Sequence, residues 1–250
     1  MMNLGLMDPA FLGSLSQLWT PAQISTALWL DAADSSTITT VGGAVSQWND
    51  KSGNGRNATQ ATASNRPVLS ANELNGLPVV RFTQSSYHFL SVTLNNFQST
   101  FIVYTDSSTS AFTTPLGCLF SNGGPYHGNV TAGGIFTTDW THAQTLNGEN
   151  FANGTSIGNG TTYGRPTTAT IFSFIATAAY TATNGLRFIG RDPGGFTDRA
   201  INGIVAEIVI LSGAATTLNR QQVEGYLAHK WGLTANLPSD HPYKVNPPYV

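Results

Sequence analysis

The run Ile204-Val205-Ala206-Glu207-Ile208-Val209-Ile210-Leu211 is apolar on both faces of any strand it forms, apart from Glu207. A strand with two apolar faces is covered on both sides, so it belongs near the centre of a sheet. A carboxylate in that position is costly unless it meets a polar partner. The run therefore asks for a layered β-structure in which some other segment brings a donor to Glu207.

The rest of the chain follows the same pattern. Val79–Phe82, Phe89–Val92, Phe101–Tyr104, Thr170–Ile175 and Leu186–Ile189 are rich in β-branched and aromatic residues, and Ala27–Asp31 is a short apolar run. Gly, Asn, Ser and Pro clusters separate them, including Asn122-Gly123-Gly124-Pro125. Short strands punctuated this way predict a sandwich or barrel. Only 10% of the 250 residues are charged, but 40% are hydrophobic, which argues against disorder. Net charge is −2, with no basic patch, so nucleic acid is not an expected partner. No apolar run approaches the ~20 residues of a membrane helix, and a membrane is not expected either. The single cysteine, Cys118, lies in the apolar run Leu116–Phe120 and reads as a buried, unreactive thiol.

Two segments depart from the strand pattern. Residues 1–22 read as an arm, in which Leu4, Leu6, Phe11, Leu12, Leu15 and Leu18 form one short helical face. The arm packs either on its own domain or on a neighbouring subunit. Its start has neither a basic stretch nor a long apolar core and does not read as a secretory signal. Residues 23–250 form the domain proper. It includes one helix at about 217–231, capped by Thr216 or Thr217 and ended by Gly232. Val223, Tyr226, Leu227, Lys230 and Trp231 share one face of that helix. The proline-containing tail, Pro242–Val250, is expected to run extended over the surface.

Several blocks carry a resemblance. They are Leu28-Trp29-Leu30-Asp31-Ala32-Ala33-Asp34, Val45-Ser46-Gln47-Trp48-Asn49-Asp50-Lys51-Ser52-Gly53-Asn54-Gly55 and Asn75-Gly76-Leu77-Pro78-Val79-Val80-Arg81-Phe82. Gly203–Glu207 and Val223-Glu224-Gly225-Tyr226-Leu227-Ala228-His229-Lys230-Trp231-Gly232-Leu233 complete the set. Together they resemble the concanavalin A-like, laminin G-like domains of bacteriophage structural proteins and bacterial surface proteins. Residues 106–184 match nothing specific. The resemblance implies an all-β jelly-roll sandwich of two antiparallel sheets, with the C-terminal helix packed at its edge through Tyr226 and Trp231. It also implies a virion-associated role as a capsid-decoration, head-fibre or tail component. The partners would be other virion proteins or copies of the chain itself. The alternative is an adhesin or lectin, extracellular or at the cell surface, that takes a cell-surface glycan.

Enzyme chemistry has little to draw on. Glycanases need two carboxylates across the scissile bond, and those of this fold carry them as a closely spaced Glu-x-Asp-x-x-Glu. The glutamates here, Glu73, Glu149, Glu207 and Glu224, are far apart. There is no Gly-x-Ser-x-Gly elbow and no zinc-like histidine spacing. The expectation is a non-enzyme with no catalytic residues. No cofactor is required, although calcium is a candidate: Asp50-Lys51-Ser52-Gly53-Asn54-Gly55 resembles half of a calcium loop, and Asp31, Asp34 and Asp50 are the candidate ligands. The bland alternative for that loop is a turn in which Asp50 accepts backbone N–H groups and Gly53 and Gly55 take positive φ. Two loop clusters pair aromatic rings with amides or carboxylates, as glycan sites do. They are Asn122, Tyr126 and His127, and Asp139, Trp140 and His142.

Overall fold

A computed structural model describes residues 17–108, 134–139, 141–181, 186–190 and 200–250, with the backbone alone for 186–188. The architecture is all-β and sandwich-like, with antiparallel strands and one main helix. The strands are β1 (Thr26–Asp31), β2 (Ile38–Val41), β3 (Ala44–Trp48), β4 (Ala58–Thr59), β5 (Val68–Leu74), β6 (Leu77–Phe82), β7 (Leu90–Thr93) and β8 (Phe97–Tyr104). After them come α1 (Ala143–Leu146), β9 (Glu149–Ala152), β10 (Thr155–Ser156), β11 (Thr170–Tyr180), β12 (Leu186–Ile189), β13 (Gly203–Leu211) and α2 (Thr217–Trp231). Hydrogen bonds run in the order β10-β9-β11-β8-β13-β6-β5-β3-β4-β7-β12, with β1 on β13 and β2 on β3.

β13 lies where its two apolar faces require. β8 occupies one edge, from Val205 to Leu211. β6 and β1 share the other edge end to end, β6 along Gly203–Val205 and β1 along Glu207–Leu211. All nine residues of β13 are buried. Each large apolar side chain so buried contributes about 1.5–3 kcal/mol. Its neighbours extend the core through Leu28, Leu30, Phe82, Phe101, Ile102 and Val103. The register of β13 against β8 slips between Val205 and Glu207, so the irregularity sits beside the one charged residue of the strand.

α2 spans Thr217–Trp231, as the cap residues predict. The Thr216 hydroxyl accepts from the Asn219 N–H, and Gly232 closes the helix with φ 71°. The β5–β6 hairpin reinforces that end. Its turn residue Asn75 takes φ 51° and donates its side-chain N–H to the carbonyl of Lys230. Gly225 lets the tail come close, because a Cβ there would run into the Tyr243 side chain. The tail does not simply run extended. Lys244 N–H bonds back to the His241 carbonyl, and only the last residues pair, Tyr249 opposite Leu18. Of the arm, residues 1–16 lie outside the described residues. Trp19 is buried and packs edge-on to Tyr226, and Thr20 and Gln23 form a reciprocal capping box, so 17–22 are continuous with the domain.

Candidate functional site

Register places Asp31 of β1 directly opposite Glu207 of β13. Like charges in that position repel and need an intervening cation. α2 supplies one. The Lys230 ammonium lies 2.5 Å from Asp31 Oδ1 and 2.7 Å from Glu207 Oε2. A second cation comes from the loop after β3, where Lys51 Nζ lies 2.8 Å from Asp31 Oδ2 and 2.9 Å from Asp34 Oδ2. Lys51 also sits 4.5 Å from the ring centroid of Trp29.

Glu207 is fully enclosed and fully bonded. Oε1 accepts from Trp29 Nε1 (2.7 Å) and from the Tyr226 hydroxyl (2.9 Å). Oε2 accepts from Lys230 and from Trp231 Nε1 (2.8 Å). Burial pushes its pKa up, and the Asp31 charge adds to that, against the pull of Lys230. Burial also pushes the Tyr226 phenol well up, helped by the charges of Glu207 and Asp31. Burial alone would lower the Lys51 pKa, but its hydrogen bonds to Asp31 and Asp34 outweigh that and raise it. Asp34 is held low by the Ser36 hydroxyl and by Lys51.

A second buried carboxylate ties the same helix to another strand. Glu224 accepts from the Ser173 hydroxyl of β11 (2.8 Å), from Arg220 (2.7 Å) and from His241 Nε2 (3.2 Å). The Arg220 guanidinium lies over the Phe151 ring of β9. Both glutamates therefore meet bonded protein donors. Glu73, on the exposed β5–β6 hairpin, is bonded to Ser70 and Arg81, and Glu149 is exposed at the start of β9.

The candidate calcium ligands are separately engaged. Asp31 and Asp34 share Lys51, and Asp31 also holds Lys230. Asp50 turns to the backbone, with Oδ1 accepting from Trp29 N and Ser52 N, and Oδ2 from Ser52 Oγ and Arg56 N. Gly53 and Gly55 both take positive φ, the geometry of a turn. Among the described residues no three metal-ligating side chains gather. Of the glycan clusters, Asn122, Tyr126, His127 and Trp140 lie outside the described residues. Asp139 is exposed and bonded to Thr138 Oγ1. His142 caps α1 by accepting from Gln144 N, and its ring stands edge-on to Tyr180 at 5.5 Å. Cys118 also lies outside the described residues.

Sequence reading anticipated a polar partner for Glu207 but did not name it. The signal was present in Lys230, a lysine on the otherwise apolar face of α2. No local pattern marked Lys51, whose partners lie 20 and 17 positions earlier in the chain. The chain matches no protein-family model, no curated protein and no solved structure.

Proposed function

We propose that this chain is a non-catalytic building module of a virus particle, a capsid-decoration, head-fibre or tail component. Its strands would form the two-sheet jelly roll of the concanavalin A-like, laminin G-like class. One observation carries the reading. Four of the five sequence blocks that resemble phage structural proteins, far apart in the chain, converge on one enclosed carboxylate. Trp29, Asp31, Lys51, Tyr226, Lys230 and Trp231 all belong to those blocks and all join the network around Glu207. A centre of that kind holds an architecture together and leaves specificity to the surface.

The surface suits assembly. Much of its small complement of charge is tied up in ion pairs, among them Arg81–Glu73 and Lys51–Asp34. Leu18, Val245, Tyr249 and Val250 are exposed on the first and last described segments. A surface of this chemistry can meet other particle proteins, or further copies of the chain, without desolvating many ions. The test is quantitative mass spectrometry of purified particles. The chain is expected at a fixed ratio to the major shell protein through a high-salt wash. Particles that lack it, with the chain only free in the lysate, refute the proposal.

A further inference from the structure

The chain has three lysines, and each has a different setting. Lys244 Nζ donates to backbone carbonyls, those of Thr234, Ala235 and Leu237. Lys51 bridges Asp31 and Asp34 at the rim, with 23% of its side chain exposed. Against the effect of burial, its bonds to Asp31 and Asp34 keep its amine protonated. Lys230 alone lies between two carboxylates that are both enclosed, the Asp31 side chain 5% exposed and that of Glu207 0%.

An amine held against a carboxyl can do more than pair with it. The two can condense to an amide with loss of water, a step that needs no oxidant, cofactor or second substrate. In free solution the reaction is slow and unfavourable, because the partners are dispersed and water solvates both ions. Here the partners are already met, with Nζ 2.5 Å from Asp31 Oδ1. Lys51 holds the other oxygen, Oδ2, at 2.8 Å, where it can steady the negative oxygen of a tetrahedral intermediate. Glu207 Oε2 lies 2.7 Å from Nζ, within reach of the protons that must leave it. Burial raises the pKa of Glu207, which suits a group that takes up a proton and passes it on. Nζ lies 5.3 Å from the ring centroids of Tyr226 and of Trp231, so aromatic surface flanks the reacting groups and limits the access of water. Condensation also removes one buried anion and one buried cation together, which relieves their desolvation and leaves the net charge of the cluster unchanged.

We propose that Lys230 and Asp31 join in an isopeptide bond that the chain forms by itself, with Glu207 as the proton relay. One proton passes from Nζ to Oδ1, which makes a neutral amine and a carboxylic acid. Nζ then attacks Cγ. Glu207 takes a second proton from the nitrogen and returns it to Oδ1. The Cγ–Oδ1 bond breaks, that oxygen leaves as water, and the third proton stays as the amide N–H. Glu207 ends ionised, as it began. This is a single event in each chain and not turnover. The bond would tie α2 to β1 across 199 positions of sequence and close most of the chain into one loop, which restricts the unfolded state. The second buried carboxylate offers no such chemistry, because the basic groups on Glu224 are the guanidinium of Arg220 and the imidazole of His241. The inference stands whether or not the chain is a particle component.

The test is the intact mass of the full chain, folded at neutral pH and then denatured for mass spectrometry. The expected mass is one water below that of the sequence. Trypsin should leave residues 221–244 uncut at Lys230 and joined to the peptide that holds Asp31, with fragment ions placing the link on those two side chains. Lys230→Arg and Asp31→Ala should each show the full mass. In the folded fraction from size-exclusion chromatography, Glu207→Gln should link about a hundredfold more slowly, the usual scale of a lost proton-transfer group, and Glu207→Asp should keep more of the rate. A full mass in the folded native chain, a water lost without the linked peptide, or a link between other residues would overturn the proposal. The native chain alone decides this, whatever the variants do. Linking at the native rate in Glu207→Gln, or no faster in Glu207→Asp than in Glu207→Gln, would overturn the relay.

Discussion

Glu207 accepts two hydrogen bonds on each oxygen, and this limits what can replace it. In Glu207→Gln the side chain keeps one acceptor oxygen and turns an NH2 group toward two donors. Whichever way the amide is placed, donors face donors, and Lys230 loses a counter-charge. Breaking one partner of a buried pair costs about 3–5 kcal/mol, so the variant should unfold at much lower urea. Titration adds a second test. The Lys51 pKa is raised above its ordinary 10.5, so its contribution is complete below that pH and is lost as pH rises through the folded value. Asp34 lies below its ordinary 3.8, so its contribution holds above that pH and is lost as pH falls through the folded value. Urea midpoints should therefore fall in strong acid, through the folded Asp34 value, and in strong base, through the folded Lys51 value. Lys51→Met should flatten the alkaline limb. A limb unchanged in that variant would mean that another group controls it.

Elements were legible in proportion to how much of themselves they bury. β13 and α2 stood out because nine buried residues in a row, or a capped face ending at Gly232, leave a pattern in the sequence. β2 and β5 did not, because they are mostly exposed and Thr, Ser and Asn fill their positions. β9 and β10 were missed for a similar reason: they are short and lie in a Gly/Asn-rich stretch that reads as turns. The close approach of the tail to α2 was also invisible, since it depends on Tyr243 arriving over Gly225. That contact makes a sharp prediction. In an exposed helix Gly→Ala would be stabilising by about 1 kcal/mol. Here the methyl meets Tyr243, and overpacking of this kind costs about 1–3 kcal/mol. Gly225→Ala should therefore lower the melting temperature in calorimetry. A rise would mean that the tail yields without cost.

At the scale of the molecule, the sequence pointed to a charged centre more clearly than to the shape of the surface. Glu207 was conspicuous because one acid interrupts an apolar run, whereas an open cleft beside Tyr163 is made of residues that are ordinary one by one. Asn236 and Thr155 line one cleft only because the turn after α2 lies near the β9–β10 hairpin, an arrangement set by tertiary packing. The double anchorage of α2 has a further consequence. The helix is fixed to β1 and β13 through Lys230 and Trp231, and to β11 through Glu224. Lifting it away would leave Glu207 enclosed by the sheet without three of its four donors, and would part Glu224 from Ser173. Partial detachment is thus nearly as costly as losing the whole fold, and helix and sheet should come apart in one cooperative step. Amide hydrogens in the middle of α2 should then exchange with deuterium only as slowly as those of β13, and one free energy of opening should describe both.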